Sequence, residues 1–117
     1  MDLGIAGKKA IVCGSSRGLG KGCAEALARA GCVVVVNGID PSRLSKTAGE
    51  IRRNTNAKII EVAGDVTTHD GQNALLTACP DPDILITNAG GPPFKDFRDL
   101  ERDAMLTGVT WNMITPI

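Results

Sequence analysis

Short apolar runs alternating with stretches of helical spacing mark this chain as an α/β protein built on a doubly wound parallel sheet. Two features carry that expectation: uninterrupted β-branched runs of the kind buried on both faces, and amphipathic segments between them. A third is the glycine-rich turn Gly14-Ser15-Ser16-Arg17-Gly18-Leu19-Gly20, which joins the first run to the first helical stretch.

The elements follow in order. Ala10-Ile11-Val12-Cys13 stops at Gly14, and Val33-Val34-Val35-Val36 stops at Asn37-Gly38, so both read as buried strands. Between them Leu19, Cys23, Ala26, Leu27 and Ala30 fall at helical spacing, with Lys21, Glu25 and Arg29 off that face and Gly31 just past the end. Strand, turn, helix and strand form a βαβ unit with an expected right-handed crossover. Pro41 suits the first turn of a second helix carrying Leu44, Ala48 and Ile51 and fading at Asn54-Thr55-Asn56. Lys58 to Ala63 is the third strand. Thr67 or Thr68 can cap a third helix carrying Ala74, Leu75 and Ala78, which must end before Pro80 and Pro82. Ile84 to Thr87 is the fourth strand. A loop through Phe94 and Phe97 then leads to a last helical stretch from about Leu100, with Met105, Val109 and Met113 as its apolar stripe and Pro116 as an obstacle. Four strands with flanking helices are expected to make one domain over residues 1–117.

Composition excludes several classes. The 117 residues are 43% hydrophobic and 22% charged, ordinary for a globular chain and unlike a disordered one. Lys+Arg and Asp+Glu are both 13, so no net basic field attracts nucleic acid or an anionic membrane, and neither is expected as a partner. Val33 to Val36 is far too short to cross a bilayer, and the first residues lack a basic start and apolar core. Cys13, Cys23, Cys32 and Cys79 form no C-x-x-C pair and have only His69 as a nitrogen partner, so no metal site is expected. Their apolar or small neighbours suit buried free thiols of a reducing compartment, read here as the cytoplasm.

The glycine-rich turn has a direct chemical reading. A helix N-terminus presents unpaired N–H groups and partial positive charge, and glycines let a pyrophosphate approach the backbone without meeting a Cβ. Gly14, Ser16, Arg17, Gly18, Leu19 and Gly20 are therefore candidate cofactor-binding residues. The same glycines could serve only a tight turn and close helix packing. Lys21 is followed by Gly22, so the G-K-[ST] ending of a P-loop is absent. The spacing runs G-x-x-x-G-x-G rather than the common dinucleotide pattern G-x-G-x-x-G.

That turn, Gly64-Asp65-Val66 after the third strand and Asn88-Ala89-Gly90 after the fourth together resemble the short-chain dehydrogenase/reductase family, with its Rossmann-type sheet. The resemblance covers essentially the whole chain. It implies that Asp65 bonds the adenine amino group, that Val66 packs on the ring, and that Asn88, Ala89 and Gly90 support the ribose and central sheet. Gly90-Gly91-Pro92-Pro93-Phe94 is similar to the corresponding loop of 3-oxoacyl-[acyl-carrier-protein] reductases. A Rossmann-like methyltransferase fits less well, because no acidic residue immediately precedes Gly14 and Asn88-Ala89-Gly90 would go unexplained.

The cofactor implied is NADP or NAD. An acidic side chain ending the second strand would bond a ribose 2′-hydroxyl and repel a 2′-phosphate, and Asn37 stands there instead. Arg17 could pair with a 2′-phosphate, as in NADP-using members of the family, which favours NADP. Relatives that read Asn-Gly-Arg-Asp carry an arginine where this chain has Ile39, and Asp40 could still reach a hydroxyl.

The family moves hydride between the nicotinamide and a carbonyl or alcohol carbon of a small substrate, with a tyrosine, a lysine and a serine handling the proton and the substrate oxygen. This chain has no tyrosine. By resemblance it is expected to be the N-terminal part of a reductase about twice as long, inactive alone, with Asn112 as the one member of the catalytic set present. Asn112 reads equally as a plain polar helix residue. The complete protein is expected to be a homo-oligomer, a dimer or tetramer, through the helix that begins near Leu100. The alternative function is a non-catalytic dinucleotide-binding or interaction module.

Overall fold

The computed structural model describes residues 2–90 and 94–117. Strand β1 (Lys9–Val12), helix α1 (Gly18–Arg29), β2 (Val33–Gly38), α2 (Pro41–Thr55), β3 (Ile59–Ala63), α3 (His69–Ala78) and β4 (Ile84–Ile86) alternate as expected. A 3-10 turn (Phe97–Asp99), α4 (Arg102–Val109) and a π-helical turn (Thr110–Ile114) follow. The sheet is parallel in the order β3-β2-β1-β4, with Ala10 facing Val34 on one side and Ile84 on the other, and Asn37 facing Val62. Strand order therefore reverses at β1, and the carboxyl ends of β1 and β4 flank the switch point where such sheets bind ligands.

The β2 run is uninterrupted because both of its faces are covered. Val12, Val34 and Val36 pack under α1 and α2 against Ala24, Ala28, Leu44, Ala48 and Ile51. Ile11, Cys13 and Val35 point the opposite way, toward Val62, Leu75 and Cys79 under α3. Pro41 opens α2 behind Asp40, whose carboxylate accepts from the Ser42 and Arg43 amides at 2.9 and 3.4 Å. Asn56 closes that helix in the left-handed region, and Thr68 rather than Thr67 caps α3 through the Gly71 amide at 3.1 Å.

Strand limits shift by a residue or two. The first strand spans Lys9–Val12 rather than Ala10 to Cys13, and the second runs on through Asn37 and Gly38, which pair with Val62 and Ala63. The third starts at Ile59, and the fourth stops at Ile86.

Two helix faces differ from the sequence expectation. On α1 the buried residues are Gly20, Ala24 and Ala28, whereas Leu19 is 87% exposed and Cys23 is exposed. The cause is close approach: a Cβ on Gly20 would lie 2.2 Å from the Gly14 carbonyl oxygen, so the smallest side chains, not the largest apolar ones, face the sheet. Cys23 lies off that face, which leaves Cys13, Cys32 and Cys79 as the buried free thiols. At the C-terminal end Met105, Val109 and Met113 are exposed. Gly108 is buried and Trp111 half-buried instead, because the indole packs against Gly90, where a Cβ would lie 2.8 Å from it. Beyond Val109 the bonding widens, with the Thr115 amide donating to the Thr110 carbonyl at 2.8 Å, and Pro116 has no amide hydrogen with which to continue.

Candidate functional site

A cavity of about 570 Å³ opens along the carboxyl ends of the strands. Gly14, Ser16, Arg17 and Gly18 line it from the first turn, Asn37 from β2, Asp65 and Val66 from the third, and Asn88, Ala89 and Gly90 from the fourth. The four turns singled out in the sequence thus meet at one place. Leu19 and Gly20 lie outside the lining: Leu19 faces solvent, and Gly20 is buried against Gly14. Asn112 does not line the cavity either. Its amide nitrogen donates to the Gly90 carbonyl at 3.2 Å and the Gly108 carbonyl at 3.0 Å, tying the last turn to the Asn88-Ala89-Gly90 segment. The likeness of residues 90–94 to a reductase loop falls partly on residues 91–93, outside the described residues.

The first turn is held rigidly from behind. Ser15 is fully buried; its hydroxyl donates to the Val12 carbonyl at 2.8 Å and accepts from the Asn37 amide at 2.9 Å. Thr47 of α2 donates its hydroxyl to the Ser16 carbonyl at 2.6 Å. Asn88 donates its amide nitrogen to the Gly14 carbonyl at 3.0 Å. Asn37, 2% exposed, accepts from the Gly14 amide at 3.1 Å and donates to the Val62 and Gly64 carbonyls, both at 3.1 Å. Its carboxamide is spent inside the protein as a clamp between turns.

What the clamps leave free is the front of the turn. Of the three helices packed on the sheet, α1 alone has no capping side chain: Asp40 caps α2 and Thr68 caps α3, while Arg17 stands at the start of α1 without such a bond. The first amides of α1 keep their hydrogens and their partial positive charge for an outside acceptor. Gly18 has φ +63°, and a Cβ there would meet nothing within 4 Å, so the space in front of the turn is open. The arrangement is suited to an anion held by backbone N–H groups.

The rest of the lining is mixed in charge. Asp65 holds one carboxylate oxygen in an Asx turn, accepting from the Thr67 amide at 2.9 Å and the Thr67 hydroxyl at 2.6 Å. Gly38, Ile39, Asp40 and Arg43 border the β2 end, and Trp111 closes the β4 end. The sequence offered Thr67 only as a possible helix cap and did not single out Arg43, although its place three residues after Asp40 could have signalled it; nothing in the sequence signals Trp111. Cys13, at the mouth of β1, has its thiol pushed up by burial, with an opposing hydrogen bond from the Asn88 backbone. That thiol stays protonated and is a poor nucleophile. Among the described residues no group of His, Cys, Asp and Glu could hold a metal ion, and no helix is long and apolar enough to cross a membrane.

Comparison with known proteins agrees with this geometry. The chain is 37% identical over 91 residues to the uncharacterized oxidoreductase YvaG of Bacillus subtilis, covering 77% of this chain and 34% of that protein. It is 32% identical over 94 residues to the 3-oxoacyl-[acyl-carrier-protein] reductase FabG of Aquifex aeolicus, covering 77% and 38%. Its fold superimposes on L-sorbose reductase from Gluconobacter frateurii, solved with NADPH and L-sorbose, with a TM-score of 0.89 at 28% identity, over 99% of this chain and 46% of that one. The chain thus spans between about a third and a half of the length of these relatives. A family model described as short chain dehydrogenase matches residues 8–117. With the uncapped α1 turn, the strand-end cavity and this match in agreement, the chain belongs to the short chain dehydrogenase family.

Proposed function

We propose that the chain is the dinucleotide-binding domain, over residues 1–117, of an NAD(P)-dependent reductase or dehydrogenase that interconverts a small carbonyl compound and its alcohol. The uncapped α1 N-terminus, opening into a strand-end cavity between glycines, is the observation that carries this reading. Gly14, Ser16, Arg17 and Gly18 hold the diphosphate bridge, with Leu19 and Gly20 setting the first turn of α1 behind them. Asp65 keeps one carboxylate oxygen free of the Thr67 bonds to accept from the adenine amino group, and Val66 packs on the ring. Asn88, Ala89 and Gly90 support the ribose and the central sheet, and Asn112 positions Gly90 through its 3.2 Å bond. Asn37 acts through the clamp it makes on Gly14, not through direct contact.

The bound coenzyme supplies hydride at the nicotinamide ring. NADP is favoured over NAD, because Arg17 is exposed at the cavity rim and no carboxylate ends β2. The complete protein is a cytoplasmic homo-oligomer, and 3-oxoacyl compounds are among its candidate substrates. This chain has no tyrosine to donate the proton, so alone it binds coenzyme without turning over a carbonyl substrate. A non-catalytic dinucleotide-binding module is the second reading.

Gly18→Val tests the anion site, since it puts a branched side chain into the open space before the turn. NADPH binding should fall below detection while the far-ultraviolet circular dichroism is retained. Undiminished affinity in the folded variant would refute the assignment.

A further inference from the structure

Strand β3 lies at an outer edge of the sheet, paired with β2 alone among the described strands. The Lys58 carbonyl accepts from the Val34 amide and the Gly64 amide donates to the Gly38 carbonyl, each at 3.0 Å, so the even-numbered residues between them turn their backbone groups toward β2. Ile59, Glu61 and Ala63 therefore turn theirs outward. An outward row of free N–H and C=O groups on a strand as rich in β-branched residues as Ile59-Ile60-Glu61-Val62-Ala63 is a template for another strand. Arg52 reaches from α2 to this edge. One guanidinium nitrogen donates to the Ile59 carbonyl at 2.7 Å and a second to the Glu61 carboxylate at 3.1 Å. Among the described residues, the bond to Ile59 is the one side-chain bond made to an outward backbone group of β3.

We infer that the β3 edge is an interaction surface for a second copy of this chain, held closed by Arg52 and Glu61. The spacing of the outward residues is self-complementary. In an antiparallel pairing about a two-fold axis at Glu61, Ile59 faces the partner's Ala63, Glu61 faces the partner's Glu61, and Ala63 faces the partner's Ile59. Each of these residues already points its N–H and C=O outward, so all three pairs fall at hydrogen-bonded positions and the two sheets join edge to edge. The two charged side chains oppose this in different ways. The Arg52 guanidinium occupies the Ile59 carbonyl that the partner's Ala63 amide needs. Glu61 would set two carboxylates directly opposite one another at the centre of the pairing, where like charges repel. Removing the guanidinium alone leaves that repulsion in place, so both charges must go for the edge to open.

The test is sedimentation velocity of the purified chain and of its Arg52→Ala/Glu61→Thr variant over a range of concentrations, with circular dichroism and thermal unfolding to establish that the variant is folded. The unaltered chain, with any association through other faces such as the β4 edge, is the reference. The double variant should reach twice the reference mass as concentration rises, and hydrogen exchange should show the amides at positions 61 and 63 newly protected. Arg52→Ala/Glu61→Gln keeps the shape of the glutamate side chain and should shift the same way; it decides the question if the threonine variant does not fold. Arg52→Ala/Glu61→Pro should return the protein to the reference mass, because the amide at position 61 points outward and proline there blocks the new pairing without costing a bond to β2. A folded double variant that keeps the reference mass would overturn the proposal. Doubling that persists in Arg52→Ala/Glu61→Pro, or a doubled species with no added protection at positions 61 and 63, would place the contact elsewhere and overturn it equally.

Discussion

The carboxamide nitrogen of Asn88 donates a hydrogen bond to the carbonyl of Gly14 at 3.0 Å, across 74 residues of sequence. That bond spans the point where strand order reverses, and it ties the end of β4 to the glycine turn that opens α1. Asn88 is thus a strut as well as part of the cavity wall. Asn88→Ala removes the donor and leaves a part-buried carbonyl short of a partner, so a loss of about 1 kcal/mol in unfolding free energy is expected, measured by urea denaturation. Coenzyme affinity should fall in the same variant, because the turn loses one of its restraints. Wild-type stability and affinity together would show that the bond does neither job.

Asn37 leads to a less obvious expectation. In this family an acidic residue at the end of the second strand reads a ribose hydroxyl, so Asn37→Asp looks like a switch toward NAD. The geometry predicts otherwise, because the Asn37 amide nitrogen donates to the Val62 and Gly64 carbonyls inside the protein. A carboxylate there faces two carbonyl oxygens with no proton to offer. Destabilisation of about 2–4 kcal/mol is expected, without a gain in NADH affinity. Calorimetric unfolding and NADH titration check the two halves separately.

Gly20 is confined by contact. A Cβ at that position would lie 2.2 Å from the backbone oxygen of Gly14, an atom that cannot rotate aside. Gly20→Ala should therefore push α1 away from β1 at a cost of about 1–3 kcal/mol, despite alanine's better helix propensity. Gly22→Ala, on the exposed side of the same helix with nothing within 4 Å, is the control and should be neutral or slightly stabilising. Equal effects of the two substitutions on the melting temperature would contradict the packing described.

The thiols divide three to one. Cys13, Cys32 and Cys79 are buried and Cys23 is exposed. Burial also raises the Cys13 and Cys32 thiols, so at pH 8 both are protonated as well as shielded. A disulfide reagent should titrate one thiol quickly in the native protein and the other three only on unfolding. Cys23→Ser should abolish the fast phase.

Much of the architecture was legible because local signals and tertiary packing agree. Pro41 with Leu44, Ala48 and Ile51 gave α2, the double burial of Val34 to Val36 gave a central strand, and Asn56 ended α2 as expected. The three strand-end motifs were likewise readable, since turns at the ends of successive parallel strands must share one edge. The misread faces have a common cause. Periodicity weighs the largest apolar side chains, but α1 approaches the sheet so closely that Gly20, Ala24 and Ala28 take the buried positions, with Leu27 half-buried beside them, and Leu19 is left outside. Trp111 shows the same limitation in reverse: its packing on Gly90 turns Met105, Val109 and Met113 outward, and no local pattern encodes that pairing. The inward turn of Asn37 was equally hidden, because it depends on carbonyls contributed by the far end of β3.

The most direct measurement of the central claim is a calorimetric titration of the folded chain with NADPH. Saturable binding that is lost when Gly18 is replaced by valine is the predicted result. Heats no larger than those of dilution, from protein whose cooperative unfolding proves it native, would contradict it.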